Sequence, residues 1–167
     1  LNIKKIRINL ENGKSMTFEL FPDIAPLTCA NFISLIEQNY FNGLIFHRVI
    51  KGFMIQGGGL FEDMSEKKGA KEIKGEFLSN GWENKLSHDK GVISMARTMV
   101  KDSASSQFFI VTGNAKFLDG EYAAFGKVAD KDSLDIALEI EKVETNSSNF
   151  YDDVPVKPII IKNIEIL

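Results

Sequence analysis

The chain predicts a mainly β domain, a barrel or sandwich whose open ends are covered by two helices. Three observations predict it. A hairpin pattern opens the chain, short apolar runs bounded by turn residues recur to the C-terminus, and only two stretches carry helical periodicity.

The elements follow in order. Ile6, Ile8 and Leu10 alternate with polar residues, Glu11-Asn12-Gly13-Lys14 supplies turn chemistry, and Met16, Phe18 and Leu20 alternate again. This is a β-hairpin closed by an Asn-Gly turn. Pro22 and Pro26 stop the second strand. Leu27, Ala30, Ile33 and Ile36 then fall at helical spacing, so a helix is expected over 27–40, with Asp23 or Thr28 as its cap. Asn42-Gly43 ends it. Residues 44–56 are dense in β-branched and aromatic side chains, and Gly57-Gly58-Gly59 follows as a place of tight backbone packing or a bend. Residues 61–76 are charged and poor in large apolar groups, which predicts a long exposed loop. Short strands are expected at 91–96, 107–112 and 122–128, a second helix at 133–143, a polar loop at 144–155 and a closing strand through Ile159-Ile160-Ile161, Ile164 and Ile166.

With 167 residues there is enough chain for one well-buried core and too little for two ordinary domains, so 1–167 reads as one domain. Apolar residues are 44% and charged residues 26%, the mix of a soluble globular protein. The 13 Phe against 1 Trp and 3 Tyr place the aromatic content in core or in an apolar pocket, because Phe has no polar handle. A net charge of −3 with scattered Lys and Arg gives no reason to expect nucleic acid or a membrane as partner. No apolar run approaches the ~20 residues of a bilayer span. The single cysteine, Cys29, fits a reducing compartment, so the cytoplasm is the expected location; the first residue is Leu1, which leaves room for a removed leader.

The sequence carries none of the familiar catalytic or metal-binding constellations. His47 and His88 lack metal-ligand neighbours at zinc spacing, and no metal or cofactor is expected. His47, inside an apolar run, reads as a hydrogen-bonded structural histidine, and His88, in a polar loop, as solvated. Cys29 has no Cys-x-x-Cys partner and reads as a buried small hydrophobe. The hydrolase elbow Gly-x-Ser-x-Gly is missing, and the triple glycine is not followed by Gly-Lys-Ser/Thr.

Two stretches differ from plain core: FHRVIKGFMIQGG (46–58) and SMARTMVKDSASSQFFIVTG (94–113). Each sets polar groups of fixed hydrogen-bonding geometry (Arg48, Gln56, Gln107) among large apolar ones (Phe53, Met54, Phe108, Phe109). Arg48 alone would suit a solvated strand face. Together these residues describe a shallow apolar pocket with convergent polar groups, the usual form of a small-ligand site.

These stretches, with FLDGEYAAFGKV and the closing VPVKPIIIKNIEI, resemble the cyclophilins in order from about residue 5 to the C-terminus, and DSASSQFFI resembles the bacterial branch. The resemblance implies a closed eight-stranded antiparallel β-barrel capped by two α-helices, monomeric, with peptidyl-prolyl cis/trans isomerase activity on proline-containing peptides and unfolded or flexible protein clients. It implies Arg48, Gln56 and Gln107 as catalytic residues. Phe53, Met54, Ala96, Arg97, Phe109, Phe117, Leu118 and Tyr122 would bind substrate. Three positions depart from the best-known family pattern: Arg97 stands for Asn, Phe117 for Trp and Tyr122 for His. The family's Trp contacts cyclosporin-class inhibitors through its indole N–H, so Phe117 implies weak cyclosporin binding. A non-catalytic proline-peptide binding module, or a chaperone surface using the 61–76 loop, is the alternative on the same fold.

Overall fold

A computed structural model describes residues 2–167. The opening hairpin forms as the alternation predicts, β1 (Lys4–Leu10) against β2 (Ser15–Leu20), with Gly13 at φ 88° in the turn. Helix α1 (Pro26–Glu37) follows, then β3 (Arg48–Ile50) and β4 (Met54–Gly57). After the long 61–76 segment come β5 (Val92–Met95), β6 (Phe108–Val111) and β7 (Ala124–Val128). Helix α2 (Lys131–Glu141) precedes β8 (Thr145–Ser148), β9 (Tyr151–Pro155) and β10 (Ile161–Ile166).

Eight strands make one antiparallel sheet in the order β10-β1-β2-β7-β5-β6-β4-β3. The expected closed barrel is corrected to a curled sheet. Its ends, β10 and β3, are not paired with each other, and the seam is crossed by an isolated bridge between Ile45 and Ile160. Inside the curl, Phe32 of α1 packs on Phe41, Phe108 and Phe125 at centroid distances of 5.0, 5.3 and 5.1 Å. Rings without polar atoms can be buried here with no hydrogen bond to satisfy.

Other departures have local reasons. Helix α1 stops before Tyr40 because Asn39 takes a left-handed turn at φ 54°. The 144–155 segment is a hairpin, β8 with β9, and not a loop. Its strand Thr145–Ser148 is polar throughout, so no alternation marks it, and packing of β9 against β3 holds it in place. Helix α2 is capped by Asp130, which accepts a hydrogen bond from Ser133 N at 2.8 Å.

Neither Asp23 nor Thr28 caps α1; the residue at the cap is Ala25, which has no side-chain acceptor. Glu76, buried at the end of the charged segment, does the work from 48 residues away. Its carboxylate accepts hydrogen bonds from Thr28 N (2.7 Å), Thr28 Oγ1 (2.7 Å) and Leu27 N (3.2 Å). The first turn of α1 holds no acid of its own, so Glu76 also supplies the negative charge that a helix N-terminus favours. Glu76→Ala leaves these donors unmet and is expected to lower stability by about 2–3 kcal/mol, read as a lower urea midpoint at unchanged slope.

Candidate functional site

Antiparallel register assembles the site. Arg48 lies opposite Gln56, Gln56 opposite Phe109, and Phe109 opposite Ser94. Directly opposed residues share a sheet face, so these four form one row across β3, β4, β6 and β5. The adjacent row, Val49, Ile55, Ile110 and Ile93, belongs to the main core. Alternation at period two therefore turns the first row outward. There a second apolar cluster, including Met54, Phe109, Phe53, Ala96, Leu118 and Tyr122, gathers on the outer face of the sheet.

A shallow cleft of ≈ 130 Å³ opens on this face, lined by Arg48, Phe53, Met54, Gln56, Ala96, Arg97, Phe109, Leu118 and Tyr122. Nine of the eleven residues expected from the sequence thus meet in one depression. Gln107 stands behind it: Arg48 Nη1 donates to Gln56 Oε1 (3.3 Å), and Gln56 Nε2 donates to Gln107 Oε1 (2.9 Å). Phe117 lies on the rim, its ring 5.5 Å from that of Phe53. The triple glycine serves this arrangement. Gly58 turns the chain at φ 90°, and a Cβ on Gly59 would meet the Gln107 side chain at 2.5 Å.

Arg97 is held as a clamp. Its guanidinium lies 4.7 Å from the ring centroids of both Phe77 and Tyr122. It donates from Nε and Nη2 to Glu121 O (3.0 and 2.7 Å) and from Nη1 to Thr98 O (2.9 Å). Two loops that border the cleft are thereby joined by one side chain.

His88 corrects the sequence reading, because it is buried and not solvated. Its Nδ1 pairs with Asp119 Oδ1 (2.8 Å), its Nε2 with Ser94 Oγ (2.9 Å), and its ring stacks on Phe109 at 6.0 Å and 16°. Because a carboxylate only accepts, Nδ1 carries the proton and Nε2 accepts from the Ser94 hydroxyl. Burial lowers the His88 pKa against the pull of Asp119. Burial likewise opposes the Asp119 charge, yet hydrogen bonds from Ser87 and from His88 hold its carboxyl below the usual range. The neighbours Ser87, Asp89 and Lys90 gave no hint of this, since Asp119 and Ser94 arrive only through the fold.

His47 is buried as the apolar run implied, but its Nδ1 has no hydrogen-bond partner among the described residues. Burial, with the charge of Arg48 beside it, lowers its pKa to about 4. Cys29 is buried with its thiol pushed up to about 12 by burial first and by Glu76 second, which suits a small hydrophobe and not a nucleophile.

Comparison with known proteins agrees with this geometry. Residues 5–166 match the family model described as cyclophilin type peptidyl-prolyl cis-trans isomerase/CLD. The chain is 43% identical over 148 residues to peptidyl-prolyl cis-trans isomerase A of Dickeya dadantii, covering 86% of this chain and 74% of the relative. It is 37% identical over 163 residues to peptidyl-prolyl cis-trans isomerase B of Escherichia coli, covering 93% and 95%. A cyclophilin-type isomerase of Cryptosporidium parvum, crystallised in the presence of the dipeptide Ala-Pro, superposes with a TM-score of 0.76 at 32% identity over 98% of both chains.

The buried histidines set a pH dependence whose sign is fixed. Both pKa values are lowered on folding, so the unfolded chain takes up protons first and stability falls as pH falls. The His47 contribution is complete above pH ~6.5, the ordinary histidine value, and is lost toward pH ~4, by up to about 3 kcal/mol. Urea midpoints measured across that interval are expected to decline, and His47→Phe is expected to flatten the curve.

Proposed function

The chain belongs to the cyclophilin-type peptidyl-prolyl cis-trans isomerases, and from that premise we propose that Arg48 is its principal catalytic residue, with the outer-face cleft as the proline site. The observation that carries this reading is the chain of hydrogen bonds from Arg48 through Gln56 to Gln107 along the edge of an apolar depression.

The reaction explains why these residue types suffice. Amide resonance imposes a barrier of ~18–20 kcal/mol, and X-Pro bonds isomerise unaided in tens to hundreds of seconds. No bond to carbon breaks. At the transition state the peptide is twisted, conjugation is lost and the proline nitrogen holds a localised lone pair. A donor directed at that lone pair binds the twisted form better than the planar one, which is differential transition-state binding. The Arg48 guanidinium provides the donor with a permanent charge. Gln56, bonded to it, orients the guanidinium and is free to meet the substrate backbone, with Gln107 steadying Gln56 from behind. Phe53, Met54, Phe109 and Leu118 receive the proline ring, and Ala96, Arg97, Phe117 and Tyr122 border it. Two features support a stiff pocket: His88 stacked beneath Phe109, and Tyr122 held by Arg97.

The substrates on this reading are proline-containing peptides and unfolded or flexible protein clients. The lone buried cysteine supports a cytoplasmic protein, and the family resemblance supports a monomer. A module that only bound proline peptides would need the apolar cleft but not a cation braced by two glutamines.

Arg48→Ala is expected to keep the fold and lower kcat/KM by two to three decades, consistent with ~2–4 kcal/mol from a single charge-stabilising donor. A protease-coupled assay of cis-to-trans conversion in a short Ala-Pro peptide measures it, and an unchanged rate in a folded variant removes Arg48 from the mechanism. Cyclosporin is expected to inhibit weakly, and Phe117→Trp to tighten inhibition about tenfold or more by restoring an indole donor. Tight inhibition of the unaltered enzyme would refute this.

A further inference from the structure

Past Arg97, Leu118 and Tyr122, which it shares with the proline cleft, the surface opens into a groove of ≈ 620 Å³ walled by Met99 and Phe117. Met99 is 96% exposed and Phe117 70%. A lone exposed apolar residue needs no explanation. Here two of them face a depression continuous with the cleft, and Phe117 joins the two regions through its packing on Phe53.

The loop that carries Met99 is built and not slack. Ser103 Oγ accepts from Thr98 N (2.9 Å) and donates to Val100 O (2.6 Å), while Val100 N donates to Thr98 Oγ1 (3.2 Å). Two charged residues of the lining are hydrogen-bonded. Lys101 Nζ donates to Ser79 O (2.7 Å), and Ser79 Oγ donates to the Glu121 carboxylate (3.1 Å). The groove therefore offers the apolar area of Met99 and Phe117 on a loop whose backbone is fixed, beside the charged side chains of Arg97, Lys101 and Glu121 that also line it.

Resting on the isomerase reading above, we infer that this groove binds a large apolar side chain (Leu, Ile, Met or Phe) of the same substrate chain. The side chain lies within about three residues of the isomerising proline, because an extended chain advances ~3.3 Å per residue and the groove begins at the cleft's own wall. Folded proteins bury such side chains, whereas unfolded segments expose them. The groove thus selects prolines flanked by nascent or unfolded core sequence over prolines in polar surface loops of folded proteins.

The test uses blocked peptides with one Ala-Pro bond and a single Phe moved through the three positions on either side, with Ser in its place as reference. Isomerisation is followed by NMR exchange. At one position, Phe is expected to raise kcat/KM about five- to tenfold over Ser, the effect of partly burying one large apolar side chain. Met99→Ser is expected to erase that preference while leaving the Ser peptide's rate unchanged, and Met99→Leu to retain it. Equal rates for all peptides, or a preference that survives Met99→Ser, would overturn the inference with the isomerase intact. Failure to accelerate even the Ser peptide would strike the isomerase reading itself, and the groove with it.

Discussion

The register of four strands is the constraint on which the remainder depends. Val49, Ile55, Ile110 and Ile93 sit on one row facing the core, and their burial fixes which residues lie opposite one another. A slip of one residue in β3 or β4 would carry Val49 or Ile55 out of the core and could bring Arg48 or Gln56 in. The same burial that stabilises the domain therefore sets Arg48 beside Gln56 and Gln56 beside Phe109. No separate device is needed to aim the polar groups, because core and site are alternate rows of one ladder.

Around that row the molecule recruits charged side chains from irregular segments as braces. Glu76 closes the N-terminus of α1, and Arg97 joins the loops at Thr98 and Glu121 between two aromatic rings. Asp119 and Ser94 hold His88 flat against Phe109. Glu76, His88 and Ser94 are polar groups made tolerable in a buried place by having their partners supplied. Their common effect is to limit motion in the walls of a shallow cleft.

The departures at Arg97 and Tyr122 are also resolved as a pair. A cation here is not exposed to substrate as a free charge, because its guanidinium is packed against Tyr122 and spends its donors on backbone carbonyls. The two positions differ from the best-known pattern together and contact each other, which accounts for arginine being accommodated beside the cleft.

Strand periodicity, turn chemistry and helical spacing determined much of this protein before any tertiary contact. The opening hairpin and both helices were legible because their residues alternate or recur with the period of the element they form, and the three central strands as short apolar runs between turn residues. The site residues were legible only as polar groups misplaced in apolar runs and, through family resemblance, as a set. Tertiary structure alone decided the rest. The seam between β3 and β10, the cap from Glu76 and the burial of His88 all depend on partners distant in sequence. Local pattern reports which face a residue prefers. It carries no record of what the chain brings to that face from 30 or 50 residues away, and a polar side chain is buried or solvated according to that partner.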